Sequence, residues 1–241
     1  MCTVTYLPAK DSCYLVSNRD ERHFRQKAFP PALNKLDDNI LLYPTDADAG
    51  GTWIAVSGYG HAAVLLNGAF EKHISSPPYR KSRGLVFLEI MQAALPVSSF
   101  SSINLRGIEP FTLIILSEEL QECRWDGQNK FIRGLHKQQP YIWSSVTLYD
   151  EITRQEREKW FNDFLEQHSQ PSMDELLAFH HFAGDGDQHK DLCMNRNNEV
   201  FTVSITGMHI RDQECSMHYF DLSADKVYEE TIDFHTSPIN S

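Results

Sequence analysis

The stretch that decides the fold is residues 2–21, which read CTVTYLPAKDSCYLVSNRDE. Two runs rich in strand-forming residues, 2–7 and 13–18, flank a segment of turn-forming residues at 8–12. Short apolar runs separated by proline, aspartate and serine are typical of paired antiparallel strands. The pattern therefore predicts a β-hairpin at the start of the chain.

The register of this hairpin sets which side chains meet. If residues 7 and 13 face each other across the turn, Asn18 lies opposite Cys2, about 5 Å away. Side chains alternate along a strand, so Asn18 and Asp20 then share the face of Cys2, while the residue between them points away. A slip of one residue would reverse these assignments.

Cys2 combines two reactive groups when Met1 is removed, because trimming leaves a free α-amine on the same residue as the thiol. An α-amine has a pKa of about 7.7 to 8.0 and a thiol one of about 8.5, so the amine can take the proton of its own thiol near neutrality. This pairing is typical of N-terminal nucleophiles that carry out acyl transfer. Asp20 is expected to orient the amine, and Asn18 the amine or a substrate carbonyl.

The rest of the chain predicts many strands, a group of helices, and strands again. This order lacks the regular strand–helix alternation of a doubly wound sheet and favours an α+β fold. We find no repeat, low-complexity tract or linker, so residues 1–241 are expected to form one domain. The predicted strands are 52–57, 61–67, 111–116, 122–125, 200–209 and 217–222, and the predicted helices are 82–95, 150–168 and 172–182.

Composition excludes several kinds of partner. The net charge of −11 would repel nucleic acid and anionic membrane surfaces, so a small neutral or amphiphilic ligand is expected instead. No apolar run approaches the roughly 20 residues that cross a bilayer, and no signal-peptide pattern is present. The five cysteines lack the spacing of a disulfide framework, which predicts free thiols and a cytoplasmic location. The oligomeric state stays open.

The stretch 180–189, HHFAGDGDQH, is rich in possible metal ligands and is followed by Cys193. Adjacent histidines on a helix point about 100° apart, and neither zinc-finger nor calcium-loop spacing is met. We therefore expect neither a metal site nor a cofactor.

Three motifs together resemble the NRDE family, whose animal members are called transport and Golgi organisation proteins. They are the Met1-Cys2 start, the residues SNRDE at 17–21, and the residues AGGTW at 49–53. The resemblance implies a four-layer αββα sandwich, in which two antiparallel sheets lie between helices. That architecture is distantly similar to choloylglycine hydrolases and penicillin acylases.

The resemblance also implies roles for three residues. Cys2 matches the nucleophile position of those amidases, and Asp20 matches their early acidic residue. Asn67, at the end of a predicted strand before a glycine, resembles the asparagine that donates a hydrogen bond to the oxyanion. A donor at that position typically contributes about 3 to 4 kcal/mol to transition-state stabilisation.

Two departures bear on the substrate. Choloylglycine hydrolases carry an arginine three residues before the early aspartate, where this chain has Ser17 and instead carries Arg19. A second active-site asparagine falls at Ser145, where a hydroxyl has to substitute. Asn18, Arg19, Trp53 and Ser145 are the predicted substrate-binding residues, although Arg19 alternatively forms only an ion pair with Glu21.

Two functions remain open at this point. The favoured one is an N-terminal-cysteine amidohydrolase that cleaves a linear amide C–N bond of a small or acyl substrate. The alternative is a non-catalytic haem- or lipid-binding protein with a trafficking role that keeps the same fold.

Overall fold

The computed structural model describes residues 3–235 and contains two antiparallel β-sheets packed face to face between helices. Each sheet has seven strands. The strands of the first sheet are β1 (Thr3–Ala9), β2 (Ser12–Arg22), β10 (Tyr141–Ser144), β11 (Asn195–Arg196), β12 (Val200–Arg211), β13 (Glu214–Asp221) and β14 (Lys226–Asp233). The strands of the second sheet are β3 (Phe29–Leu36), β4 (Asn39–Thr45), β5 (Ile54–Ser57), β6 (Ala62–Asn67), β7 (Phe111–Leu116), β8 (Leu120–Trp125) and β9 (Lys130–Leu135).

The order of strands places the N-terminal strand inside its sheet. In the first sheet the order is β10-β1-β2-β12-β13-β14, with β11 paired to β12, and in the second sheet the strands follow their order in sequence. Strand β1 is therefore hydrogen-bonded on both sides, by β10 and β2. The first residues of the described chain are held by two neighbours rather than one.

Four helices form the outer layers. Helices α1 (Arg83–Gln92) and α2 (Pro96–Ser102) belong to the side of the second sheet, and α1 contacts β4, β5 and β6. Helices α3 (Glu151–Gln167) and α4 (Met173–Phe182) cover the first sheet, where α3 contacts β10 and α4 contacts β2 and β12. The predicted αββα sandwich is thus confirmed.

Burial explains the strongest sequence signals. Strands β5 and β7 are buried along their whole length. Such strands have helices over one face and the other sheet over the opposite face, so they read as continuous apolar runs rather than alternating ones. One apolar cluster joins the two sheets, and a second one joins the first sheet to α3 and α4.

Helix starts are fixed by side-chain caps. The Ser82 hydroxyl accepts a hydrogen bond from the main-chain N–H of Leu85 at the start of α1, and Ser172 and Glu175 form a capping box at the start of α4. Such caps satisfy N–H groups that have no partner within the helix. Among residues 3–235, no helix has both the length and the apolar composition needed to span a bilayer.

Candidate active site

The N-terminal hairpin has a tighter turn than predicted. Ala9 pairs with Ser12, so the turn contains only residues 10 and 11, and Leu7 pairs with Tyr14. The predicted register is therefore wrong by one residue, because Pro8 belongs to strand β1 and not to the turn. Two-residue turns are the commonest hairpin connections.

The corrected register brings Thr3 opposite Asn18. The predicted register placed Cys2 opposite Asn18. Cys2 and Met1 both lie outside the described residues. Thr3, the first described residue of β1, is the residue to which Cys2 is covalently bonded.

Asn18 points towards the helices. Its amide nitrogen donates to the main-chain carbonyls of His180, at 3.1 Å, and Leu192, at 2.7 Å. Its side-chain oxygen is hydrogen-bonded to Nδ1 of His180, and the side chain is fully buried. The structure therefore places Asn18 in the contact between β2 and α4, and not on a substrate cavity as the sequence led us to expect.

Asp20 shares the helix-facing side of β2 with Asn18. Its carboxylate accepts hydrogen bonds from the hydroxyl of Tyr149, at 2.7 Å, and from the hydroxyl of Thr202, at 2.6 Å. Both donors are largely buried, which keeps the carboxylate in a fixed orientation. Asp20 is thus an oriented acceptor close to the end of β1.

Arg19 faces the opposite way, towards the second sheet. It is 3% exposed, its guanidinium lies 2.6 Å from the carboxylate of Asp46, and it stacks over the ring of Trp53 at 4.4 Å. A second ion pair joins Arg19 to Glu21, as the alternative interpretation proposed. The prediction that Arg19 points away from Asn18 and Asp20 agrees with this geometry. The face it occupies is the side of Val4, in the space between the two sheets.

The ion pairs around Asp46 define its charge state. Burial raises the pKa of its carboxyl group, but the main-chain N–H of Ala49 and the guanidinium groups of Arg25 and Arg19 outweigh burial and hold the pKa below its usual value. Asp46 therefore stays ionised and balances the arginine that faces the cavity.

A bulge in β12 makes two nearby side chains of this strand point to opposite faces of the first sheet. Thr202 pairs with Asp20, while Ser204 pairs with Arg19, so one extra residue of β12 fits between two neighbouring pairs. A bulge of this kind changes the direction of the side chains that follow it. As a result, Thr202 contacts Asp20 on the helix side, whereas Ser204 lies beside Arg19 on the sheet side.

A cavity of 410 Å³ lies between the ends of the two sheets. Arg19 from the first sheet and Trp53 and Asn67 from the second line this cavity. The structure thus brings together three of the predicted site residues. The other residues of its lining are Glu21, Arg25, Asp46, Ala49, Gly51, Thr52, Leu65, Tyr79, Lys81, Ser82, Arg83, Gly84 and Glu109.

Glycine is required at one point of the cavity wall. A Cβ atom on Gly51 would lie 2.5 Å from the carbonyl carbon of Gly84, and one on Gly84 would lie 2.8 Å from the carbonyl oxygen of Thr52. Such separations are too short for any side chain, so the start of α1 can approach the loop before β5 only because both residues are glycine. Gly51, the second glycine of the AGGTW motif, and Gly84 at the start of α1 therefore set the shape of this part of the cavity wall.

Ser145 joins the two sheets beside β1. Its hydroxyl donates to the main-chain carbonyl of Asn67 at 2.9 Å, and the residue is 1% exposed. The preceding residue, Ser144, pairs with Thr3. Ser145 and Asn67 also line a neighbouring cavity of 240 Å³. Ser145 thus connects the end of β1 to the strand that carries Asn67.

The described cysteines are poor nucleophiles at neutral pH. Burial raises the thiol pKa of Cys13 to about 11, of Cys123 to about 12 and of Cys193 to about 11, and it raises that of Cys215 as well. Among these four, Cys193 alone is not fully buried. Within residues 3–235, no three ligand-type side chains converge on one point as a metal site.

The sequence does not single out Asp46, Tyr149 or Thr202, which hold Arg19 and Asp20 in place. Asp46 and Tyr149 belong to segments that read as loops, and Thr202 lies within the predicted strand 200–209, where nothing distinguishes it from its neighbours. Arg157 is a different case, because it lies on the apolar stripe of α3, four residues before the buried Phe161. A charged residue at that spacing is a detectable signal.

These features define a protein of the N-terminal-nucleophile hydrolase-like fold. Three solved structures share it. An N-acylethanolamine-hydrolyzing acid amidase (NAAA) ortholog from Caenorhabditis elegans has 13% identity and a TM-score of 0.57, with 86% of this chain and 92% of that chain covered. Penicillin V acylase from Agrobacterium tumefaciens has 10% identity and a TM-score of 0.56, covering 95% and 85%. The C2A mutant of conjugated bile acid hydrolase from Clostridium perfringens has 10% identity and a TM-score of 0.59, covering 98% and 97%.

The family follows from the sequence itself. Residues 1–205 match the family model described as Transport and Golgi organisation 2. The chain belongs to that family. No curated protein sequence matches it.

Proposed function

We propose that the protein is an N-terminal-cysteine amidohydrolase that cleaves a linear amide C–N bond of a small or acyl substrate after Met1 is removed. The observation that carries this proposal is the convergence of Arg19, Trp53 and Asn67 on one cavity, with Arg19 next to Asn18, the partner of Thr3 in β1. The solved structures with the same fold are named as an amidase, an acylase and a conjugated bile acid hydrolase. Those names support an acyl-transfer reaction of this kind.

The proposed reaction has two halves. The thiol sulfur of Cys2 attacks the amide carbonyl carbon, and the thiol proton passes to the α-amine of the same residue. This addition converts the carbonyl group into a tetrahedral oxyanion. The side-chain amide of Asn67 donates a hydrogen bond to that oxyanion. Collapse breaks the C–N bond, and the α-ammonium gives its proton to the departing amine, which leaves a thioester.

Water completes the cycle. The neutral α-amine takes a proton from a water molecule as its oxygen attacks the thioester, and the C–S bond then breaks to release a carboxylic acid and the thiol. Asp20, whose carboxylate is held by Tyr149 and Thr202, is the group we assign to orient the amine. Its position two residues beyond Asn18, the partner of Thr3, on the same face of β2, supports that role.

The charge of the cavity favours a neutral reacting group. Four basic side chains, Arg19, Arg25, Lys81 and Arg83, share the lining with three acidic ones, Glu21, Asp46 and Glu109. Arg19 is paired with Asp46 and Arg83 is paired with Glu109. A site whose arginines are already paired gains little from a charged substrate, but its N–H groups remain suited to a carbonyl oxygen.

The test is intact-mass spectrometry before and after treatment with an amide-mimetic electrophile at pH 7.5. We expect a mass without Met1 and one added acyl group, mapped to Cys2 and absent in Cys2→Ala. Cys193→Ala is the matched control, because Cys193 is the least buried of the other four cysteines, and it should label as the wild type does.

Two results would count against the proposal. Retention of Met1 in a protein that still turns over amides removes the base of the mechanism. Absence of labelling, combined with capture of a haem or lipid that binds the Cys2→Ala variant equally well, assigns the cavity to binding alone.

A further inference from the structure

A buried arginine lies on the helix side of the candidate site. Arg157, in α3, is 0% exposed. Its guanidinium donates to the main-chain carbonyls of Lys190 and Asp191 and to the hydroxyl of Thr3. Within residues 3–235 all of these acceptors are neutral oxygens, so no carboxylate in hydrogen-bond contact offsets the charge. A buried cation without an acidic partner is costly and therefore unusual.

Arg157 is tied to both parts of the candidate site. One contact reaches Thr3, which is bonded directly to residue 2. The guanidinium also stacks on the ring of Tyr149 at 3.6 Å, and the hydroxyl of Tyr149 donates to Asp20 at 2.7 Å. The arginine thus touches the neighbour of the proposed nucleophile on one side and the partner of the proposed amine-orienting carboxylate on the other.

We propose that Arg157 is a positioning residue for the nucleophile, holding the first strand against α3 and supplying positive charge that favours the thiolate of Cys2 and the neutral form of its amine. This inference rests on the proposed function. It adds a residue that contacts no substrate and that the active-site motifs of the sequence do not include.

The charge of Arg157 also acts on a neighbouring histidine, in addition to the larger effect of burial. His180 is fully buried in α4, and burial together with the charge of Arg157 lowers its pKa to about 3. A cation in a poorly solvated region favours the deprotonated form of nearby acids and bases, and thiols beside lysine or arginine are commonly activated in this way.

Other charged and titratable groups also lie around the start of β1, and they act together with Arg157. Arg19 approaches from the cavity side, and Asp20 from the same strand as Arg19 opposes both cations. Cys193 enters from the loop before β11 and stays protonated, since burial and the charge of Asp20 raise its thiol pKa to about 11. Asp20 thus opposes Arg157 across the ring of Tyr149, and its carboxylate accepts hydrogen bonds from two hydroxyl groups.

The experiment compares Arg157→Gln with Arg157→Lys. Both lose the branched guanidinium contacts, but lysine alone keeps the charge. The readout is the rate of carbamidomethylation of Cys2 by iodoacetamide between pH 5 and pH 10, mapped by peptide mass spectrometry. The pH midpoint should rise by about one unit in Arg157→Gln and stay near the wild-type value in Arg157→Lys, although both variants melt at lower temperature.

Stability is controlled independently. If Arg157→Gln does not fold, Arg157→Met serves as the neutral variant, because an apolar side chain of similar length often tolerates the site of a buried charge. Arg196→Gln is the matched control. That arginine also lies against the ring of Tyr149, at 5.2 Å, but it is half-buried and does not contact Thr3, so its midpoint should change little.

The outcomes separate this inference from the proposed function. Equal midpoints in the neutral and the lysine variants show that Arg157 acts only on stability, and they overturn the inference while Cys2 remains a nucleophile. If Cys2 of the wild type does not react at any pH, the proposed function fails first.

Discussion

The hydroxyl of Ser145 donates a hydrogen bond of 2.9 Å to the main-chain carbonyl of Asn67, so a residue of the first sheet fastens the end of a strand in the second. Ser145 follows Ser144, the partner of Thr3, and Asn67 is the proposed oxyanion donor. The distance between the nucleophile strand and its oxyanion donor is therefore set in part by one side-chain hydrogen bond.

Replacement of Ser145 by alanine should lower the free energy of unfolding by about 1 kcal/mol, because the part-buried carbonyl of Asn67 loses its donor. We also expect a lower kcat with a smaller change in KM, since the donor is needed most in the transition state. Ser144→Ala is the control, because that side chain lies on the adjacent residue and is only half-buried. A Ser145→Ala enzyme with wild-type kcat would show that Asn67 is held by other contacts.

Asp46 should be needed to keep Arg19 in the cavity wall. Asp46→Asn leaves the buried Arg19 with Glu21, at 3.3 Å, as its remaining carboxylate contact among the described residues, and breaking a buried pair typically costs about 3 to 5 kcal/mol. The remaining contact reduces that figure, so we expect about 2 to 3 kcal/mol by urea unfolding. Asp48→Asn removes a more exposed partner of Arg25 and should cost less than about 1 kcal/mol. Equal losses in the two variants would contradict the importance of the Arg19–Asp46 pair.

Stability should depend on pH through His180. Its pKa is about 3 in the folded protein because of burial and the nearby Arg157 charge, and about 6.5 in the unfolded chain. The unfolded chain therefore binds a proton that the folded protein does not between these two values. The contribution of the neutral histidine is complete above about pH 6.5 and is lost as the pH falls towards 3.

The measurement is the urea unfolding midpoint between pH 4 and pH 8. The wild type should lose stability below about pH 6.5, and His180→Gln should show a shallower dependence from a lower starting value. His23→Gln replaces an exposed histidine and should leave the slope unchanged. A slope in His180→Gln as steep as that of the wild type would assign the dependence to other groups.

Gly51 should not tolerate a side chain. Alanine there would place its Cβ 2.5 Å from the main chain of Gly84, and the resulting shift of α1 should cost about 1 to 3 kcal/mol. Gly134→Ala is the matched control, because nothing lies within 4 Å of its Cβ position, so stability should change by less than about 0.5 kcal/mol. Thermal melting of the two variants tests this, and a Gly51→Ala melting temperature equal to that of Gly134→Ala would refute the close-packed wall.

Burial and edge position explain part of what the sequence could predict about the strands. Strand β7 is predicted with its observed bounds because both of its faces are buried. Strands β3, β9 and β14 lie at the edges of the sheets and are not predicted, since their exposed residues mix charged and polar side chains with apolar ones and give no regular alternation. Strand β3 also contains Pro30 and Pro31, which edge strands accept and central strands do not.

The hairpin was predictable, but its register was not. Pro8 reads as a turn residue, yet it pairs with Cys13 within the ladder, which shortens the turn to two residues. Local turn chemistry cannot distinguish these registers, because the difference depends on which face of β2 is covered by α4. Packing against helices 150 residues away decides that point.

The residues of the candidate site were also predictable only in part. The motif residues Arg19, Trp53 and Asn67 are recognisable from the sequence and line one cavity. Their supports, such as Asp46 and Tyr149, come from segments far away in the chain and carry no local signature. Only tertiary structure shows that a loop carboxylate reaches Arg19, or that a tyrosine hydroxyl reaches Asp20.

The bulge between Thr202 and Ser204 places the contacts of Asp20 and the cavity beside Arg19 on opposite faces of the first sheet. This separation bears on how substrate specificity can change within the family. Under the proposed mechanism, proton transfer depends on the helix-facing side and substrate shape depends on the cavity side. Mutations in the cavity lining can therefore alter which acyl group is accepted without disturbing Asp20 and its hydroxyl donors. Relatives with different substrates are expected to vary between the sheets while conserving the contacts beneath α3 and α4.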